Sequence, residues 1–338
     1  MGQKARPKVL LDPHFRTVGS LFDDAELMRL STFAELLWCK NEQAPADYVQ
    51  NIETELEAIV TGWWRYGDVA RFPRLKAILE VAGMFPPREL LDYEHCFGRG
   101  IKVLGCAPGF APAVAEMSLG LAIAAARGIV RGDSDFRTGT EIWGHAGAVQ
   151  GFQLFDKLVG FIGYGSIARA LKDLLAPFHC RLQAYDPWLT TGYLRSQGVI
   201  PVDLGTLLGT SRIIFVLAVP TRSNRKLLSR ARLLRIRHGS VLVLTSRAHL
   251  VDFEALTELA GQGRFTAAID VFPEEPLPAD HSVRAARDTI LSAHRAGGGE
   301  ETYRLIGRMV SDDLEAVLGG LSPQRMQQAL PEVIRNRG

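Results

Sequence analysis

The sequence predicts an α/β protein: a doubly wound parallel sheet, with a second and smaller α/β unit. Three observations carry that prediction. Short apolar runs of the kind buried parallel strands require recur along the chain. Segments with helical apolar spacing alternate with them. One stretch, Leu158–Asp186, runs strand, glycine turn, helix, strand and terminal acid without a break.

That stretch organises the rest. Leu158–Ile162 is the apolar strand, and Gly163 and Gly165 follow at once, with Ala168 three residues on. Ile167, Ala170, Leu171, Leu174 and Leu175 mark a helix that Pro177 ends. A second strand, Arg181–Tyr185, finishes on Asp186. Gly163 permits a tight turn, and Gly165 lets the backbone approach a pyrophosphate on the positive end of the helix. Asp186 stands near the spacing expected of a carboxylate that accepts from adenosine ribose hydroxyls. The unit therefore reads as a dinucleotide site. Asp186 would repel a 2′-phosphate and Pro187-Trp188 offers no guanidinium to receive one, so the expected cofactor is NAD rather than NADP.

Taken in order, the chain opens with a strand at Lys8–Leu11 ending in Asp12, then a helix over Asp23–Leu30 and a mixed segment to Lys40. A helix over Ala46–Glu57 leads to a strand over Ala58–Thr61, followed by Trp63 and Trp64, which either line a cleft or cover the core. Strand Lys76–Val81 runs into Ala82-Gly83-Met84-Phe85-Pro86-Pro87, and a helix over Pro87–Arg99 precedes strand Ile101–Leu104. A long helix, Ala111–Arg127, and an irregular stretch, Gly132–Gln153, follow; a stretch of that length is expected to be functional or an interface arm. Beyond Asp186 come helix Leu204–Gly209, strand Arg212–Leu217, helix Ser229–Arg235, strand Ser240–Leu244, helix Asp252–Ala260, strand Phe265–Asp270, strand Thr289–Leu291 and helix Glu300–Val317. The tail after Gly319 reads as loosely ordered.

Composition bounds the partners. The net charge of +2 gives no reason to expect nucleic acid or a membrane surface. The basic run Arg222–Arg237 is interleaved with Leu227, Leu228, Leu233 and Leu234 and reads as a solvated helix face. Cys39, Cys96, Cys106 and Cys180 show neither paired spacing nor CxxC, which argues against disulfides and a metal site and fits a reducing cytosol. The N-terminus lacks a long apolar run, and Ala111–Val130 carries Glu116 and Arg127, so a buried core helix is expected there and a cytoplasmic location overall.

Three strand ends downstream of the glycine turn carry notable polar residues: Arg247, Glu275 and His294. In a doubly wound sheet such ends converge on the crevice that holds the nucleotide. A guanidinium holds a carboxylate bidentately, an imidazole passes the proton that accompanies hydride, and a carboxylate behind it fixes the tautomer. Residue types alone leave Glu274 as a rival to Glu275, and His249 and His281 as rivals to His294.

These segments resemble the NAD-dependent D-isomer-specific 2-hydroxyacid dehydrogenases. LVGFIGYGSIARAL looks like the family's nucleotide fingerprint, LTSRAHLVDFEAL is similar to its arginine motif, AAIDVFPEEPLP to its glutamate motif and ILSAHRAGG to its histidine motif. The resemblance implies a Rossmann domain, residues 109–297, inserted into a flavodoxin-like substrate domain, residues 1–108 plus 298–338. It implies Arg247 as the binder of the substrate carboxylate and C2 oxygen, His294 as acid/base and Glu275 as its partner. It also implies that Ser166, Ile167, Asp186, Pro220, Asn224, Thr245, Ser246 and Asp270 line the cofactor beside Gly163 and Gly165. A homodimer joined by the region after Arg127 is expected, acting on a small 2-hydroxy or 2-oxo acid. A binding protein that senses NADH on the same fold is the other reading.

Departures from the family pattern bear on the substrate. Its glycine-rich substrate loop appears here as AGMFPPRELLDYE, Arg247 is followed by Ala248 where glycine is usual, and His294 by Arg295 where an aliphatic residue is usual. Arg295, Arg65 and Arg88 are either rim cations or a second positive centre. The latter would favour a phosphorylated or dicarboxylic substrate such as 3-phosphoglycerate, because an unpaired desolvated guanidinium is expensive.

Overall fold

The computed structural model describes residues 5–148, 151–286 and 289–336. The chain divides into two compact units, Met1–Ala111 with Gly298–Gly338, and Pro112–Gly297.

The first unit holds β1 (Lys8–Asp12), β2 (Glu35–Trp38), β3 (Leu56–Thr61), β4 (Ala77–Glu80) and β5 (Lys102–Gly105). The second holds β6 (Leu158–Ile162), β7 (Arg181–Tyr185), β8 (Ile200–Pro201), β9 (Ile213–Val216), β10 (Val241–Leu244), β11 (Thr266–Ile269) and β12 (Thr289–Leu291). The short β13 (Gln327–Gln328) returns to the first unit.

The first sheet has the order β13-β5-β4-β3-β1-β2, the flavodoxin-like 2-1-3-4-5 arrangement with β13 added antiparallel to β5. Both faces of β1, β3, β4 and β5 are covered, which is why these strands read as largely apolar runs rather than alternating ones. Val9 and Leu11 pack with Ile306, Met309, Val310 and Leu314 of the helix Glu300–Leu318. Between them, Leu10 points to the other face, among Ile59, Trp64, Phe72 and Ile78. Of the tryptophan pair, Trp64 is core and Trp63 is exposed.

The second sheet has the order β12-β11-β10-β9-β6-β7-β8, with every pairing parallel. Renumbered from β6 this is the Rossmann 3-2-1-4-5-6 order with one strand added, and its switch point lies between β6 and β9. The helix Ala107–Arg127 is long and apolar enough by composition to cross a membrane. Its Ala115, Leu121, Ala122 and Ala126 lie in the core against Phe161 and Phe215.

Several expectations from the sequence need correction. The described tail, residues 320–336, is ordered: the buried Asp313 carboxylate accepts from the amides of Gln324 (2.6 Å), Arg325 (3.0 Å) and Met326 (2.6 Å), which sets β13 beside β5. The stretch Gly132–Gln153 holds most of the helix Ile129–Thr138 and all of the helix Gly144–Ala148; Val149 and Gln150 lie outside the described residues. Ile129–Thr138 buries no side chain, so it carries no core-facing periodicity to read. The basic run is mostly not helical. Only Arg230–Leu233 forms an α-turn, while Leu228 bridges to Val251 and Arg230 grips Glu258 at 2.5 and 2.7 Å. The helix expected over Ala46–Glu57 stops at Ile52, because Leu56 already belongs to β3. That expected over Pro87–Arg99 is Tyr93–Gly98, started by Asp92, whose carboxylate accepts from the His95 amide.

Candidate active site

All the residues expected to act together lie in the second unit, at the carboxyl ends of its strands. The glycine turn comes first. Gly163 has φ +89°, and a Cβ there would stand 2.6 Å from the backbone N and Cα of Ala218, just past β9. Only glycine lets the end of β6 approach that close at the switch point. A Cβ on Gly165, by contrast, would meet nothing within 4 Å. The helix Ser166–Leu175 starts there with no side chain capping it, so its first-turn amides face outward toward that open space.

Asp186 is tied to the same turn. Its Oδ2 accepts from the Tyr164 amide at 2.8 Å and its Oδ1 from the Trp188 amide at 2.9 Å. Each oxygen keeps a second lone pair, so the carboxylate can still accept from ribose hydroxyls. Tyr164 was not anticipated as a site residue; its part is played by a backbone amide, which its side-chain identity does not reveal.

The loop after β9 is stapled internally. Asn224 accepts from the Thr221 amide (2.7 Å) and donates to the Val219 carbonyl (2.8 Å), so its side chain shapes the Pro220 turn. After β10, Thr245 shares a 2.8 Å hydrogen bond with Ser118, both buried, and Ser118 is a second residue that sequence spacing could not pair with this site. Ser246 Oγ is buried with no hydrogen-bond partner among the described residues. An orphaned hydroxyl at a strand end, an open glycine and an uncapped helix start together fit a dinucleotide.

Geometry separates the candidates for an acid/base pair. His294 Nδ1 lies 2.6 Å from Glu275 Oε2, and Glu275 Oε1 accepts from the Phe272 amide at 2.9 Å. Burial alone would push the Glu275 carboxyl up. The hydrogen bonds from His294 and Phe272, with the charges of His294 and Arg247, outweigh it and hold the carboxyl below its usual range. Among the rivals, His249 Nε2 is 2.8 Å from the Thr221 carbonyl, and His281 caps a short turn at Val283. Both are occupied structurally.

Asp270 positions the histidine from below. Its carbonyl accepts from the His294 amide at 2.7 Å, and its carboxylate from the amides of Arg295 (2.9 Å) and Ala296 (3.0 Å). The wholly buried Asp270 thus clamps the turn in which His294 adopts φ +51°. Arg247 is partly buried and donates from Nη1 to the Ser246 carbonyl at 2.7 Å. Burial lowers its affinity for its proton and the nearby Glu275 charge raises it, but a guanidinium stays charged either way.

Residues 119–296 match the family model "D-isomer specific 2-hydroxyacid dehydrogenase, NAD binding domain". The chain belongs to the D-isomer specific 2-hydroxyacid dehydrogenase family. It is accordingly an NAD-dependent oxidoreductase of 2-hydroxy acids. A crystal structure of a phosphoglycerate oxidoreductase from Rhizobium etli superposes with a TM-score of 0.84 at 35% identity, covering 96% of this chain and 99% of that one. The hydroxypyruvate reductase of Thermotoga maritima is 28% identical over 305 residues, 88% of this chain and 96% of its own. The D-3-phosphoglycerate dehydrogenase of Methanocaldococcus jannaschii is 29% identical over 232 residues, 68% of this chain but only 44% of its own length.

Proposed function

We propose that this chain interconverts a D-2-hydroxy acid and its 2-oxo acid, and that its substrate carries a second anionic group, as a phosphorylated or dicarboxylic acid does. The observation that carries the reaction is the 2.6 Å contact between His294 Nδ1 and Glu275 Oε2. That contact commits Nδ1–H to the carboxylate and leaves Nε2 to hold the proton for the substrate oxygen. NAD(H), when bound, supplies or accepts the hydride. Gly163, Gly165 and the start of the helix Ser166–Leu175 would hold its pyrophosphate, and Asp186 its adenosine ribose. Arg247 binds the substrate carboxylate with a forked guanidinium and draws electron density from the C2 oxygen. In reduction His294 gives its Nε2 proton to the alkoxide that forms, while Glu275 supports the imidazolium. In oxidation the same atom removes the hydroxyl proton.

Arg295 supports the second anion. It follows His294, its backbone is fixed by Asp270, and its side chain is exposed with no ion-pair partner among the described residues. The 35% identical relative is called a phosphoglycerate oxidoreductase, which agrees with this reading. In the first unit Arg65 is spoken for by Gln43 and by the carbonyls of Trp63 and His14. Residues 1–108 with 298–338 would form the substrate domain, and 109–297 the dinucleotide domain. Exposed Ile129, Val130, Phe136, Ile142 and Trp143 suit the contact of a homodimer, and four free thiols suit a cytoplasmic location. The test compares kcat/KM for phosphorylated and dicarboxylic 2-oxo acids with that for pyruvate and glyoxylate, in wild type and Arg295→Leu. The dianions are expected to lead, and the lead to shrink in the variant; equal turnover of all four classes in both proteins contradicts a second-anion site.

A further inference from the structure

We infer that His249 is a positioning residue for the cofactor: it latches the loop after β9 to the turn after β10 that carries Arg247. This rests on the reading above that the loop holding Pro220 and Asn224 lines the NAD(H) site, and it draws on residues of the second unit alone.

The two strands are neighbours. β9 and β10 pair in parallel with Val216 opposite Leu244, so the segments that leave them, 217–225 and 245–251, start side by side. On the other side of β9 lies β6 with its glycine turn, and β7, which Asp186 follows, lies beyond that. With the adenosine ribose at Asp186, the rest of the dinucleotide would extend over the ends of β9 and β10.

His249 holds the first of those segments at two points. Its Nε2 lies 2.8 Å from the Thr221 carbonyl, and its own carbonyl accepts from the Lys226 amide at 2.9 Å. A carbonyl can only accept, so Nε2 carries the proton of the first bond. Nδ1 can gain or lose the second proton without disturbing it. Residues 221–225 thus form a closed loop whose two ends rest on one residue of the next strand end. Just past the second anchor, the Leu228 amide donates to the Leu250 carbonyl (2.8 Å) and the Asp252 amide to the Leu228 carbonyl (3.0 Å), a parallel bridge that keeps the anchor in place.

Thr221 is the pinned residue, and it is 1% exposed. Its amide donates to Asn224 Oδ1 at 2.7 Å, and its carbonyl accepts from the Asn224 amide at 3.3 Å as well as from His249. Asn224 also donates to the Val219 carbonyl at 2.8 Å. Asn224 therefore closes the turn from within, by bonds that stay inside the loop. The bond from His249 instead ties the loop to the Arg247 turn. A loop held at both ends gives up little freedom when a ligand binds against it, whereas a loop freed at one end must be ordered at the expense of affinity.

The experiment titrates NADH into the full chain by fluorescence and follows amide exchange at Asn224 in the same variants without cofactor. His249→Ala should raise the NADH Kd about tenfold, the worth of one hydrogen bond and the loop order it maintains. His249→Phe, which keeps a ring without a donor, should do the same and serves if the alanine variant folds poorly. His249→Gln, whose side-chain amide can donate at a similar reach, should stay within about twofold of wild type. In an Asn224→Ala background the cost of His249→Ala should shrink, because both residues act through one turn. The Asn224 amide should exchange faster in the alanine and phenylalanine variants than in wild type or His249→Gln. Unchanged exchange in both overturns the latch and leaves the cofactor reading standing. Faster exchange with an unchanged Kd overturns the reading that this loop lines the cofactor, and the positioning role with it. A Kd that rises equally in all three variants, or that adds in full to the effect of Asn224→Ala, overturns the role of the hydrogen bond.

Discussion

His294 Nδ1 and Glu275 Oε2 lie 2.6 Å apart at the ends of two adjacent turns, and Arg247 shares the charge of the same carboxylate. A carboxylate held low by these neighbours remains anionic throughout the neutral range, so it favours the charged imidazolium wherever that form is needed. In Glu275→Gln that support is lost. The pH above which 2-oxo acid reduction fails should therefore move down, while the oxidation limb gains at low pH. Steady-state pH profiles of kcat/KM check this, and an unchanged profile would remove Glu275 from the proton path.

Cofactor choice turns on Asp186. Its two oxygens are held by the Tyr164 and Trp188 amides, which fixes the charge beside the glycine turn; on the proposed reading it would repel a 2′-phosphate. Wild type should prefer NADH to NADPH in kcat/KM by at least roughly a hundredfold, about 2.7 kcal/mol of discrimination. Asp186→Ala should lose most of that preference while weakening NADH itself. Parallel titrations with both cofactors decide it; equal use by the wild type contradicts the assignment.

Gly163 tests the glycine turn apart from chemistry. An added methyl meets the Ala218 backbone at 2.6 Å on a residue with φ +89°. Gly163→Ala should destabilise the second unit by roughly 3 kcal/mol or more, since neither backbone segment can yield cheaply. Gly165→Ala finds open space in the free protein. It should leave the melting temperature nearly unchanged while weakening NADH binding. Thermal denaturation and cofactor titration of the two variants give the comparison.

Asp313 tests the order of the tail. Removing its carboxylate leaves the amides of Gln324, Arg325 and Met326 without acceptors. Asp313→Ala should cost on the order of 3 kcal/mol and expose the segment after Gly320 to protease, because hydrogen bonds to a buried charge are the strong ones. Wild-type resistance to limited proteolysis in the variant would contradict this.

What the sequence revealed divides along the same physical lines. β6, β7 and β12 were legible to the residue: β6 and β12 are short and mostly apolar, and β7 stands between the helix-ending Pro177 and the terminal acid Asp186 of the strand–turn–helix–strand unit. β2 and β8 were not: they are half-exposed edge strands whose composition is mixed. The tail hid for a different reason, since its order depends on one buried carboxylate upstream rather than on any pattern of its own. At the site, residue types narrowed the proton path to two glutamates and three histidines. Three-dimensional reach, with Asp270 clamping the His294 turn, separates them. The contacts of Ser118 with Thr245 and of the Tyr164 amide with Asp186 leave no mark in the sequence at all.

The most direct measurement is NADH oxidation by a panel of 2-oxo acids, with wild type and His294→Ala assayed side by side after both are shown to be folded and to bind NADH equally. Wild type should turn over at least one 2-oxo acid, giving the D-hydroxy product. His294→Ala should lose about 10²–10⁴ in kcat with NADH affinity intact, the usual contribution of a positioned proton donor. A His294→Ala enzyme that keeps wild-type kcat, or a wild type that reduces no 2-oxo acid, would contradict the account.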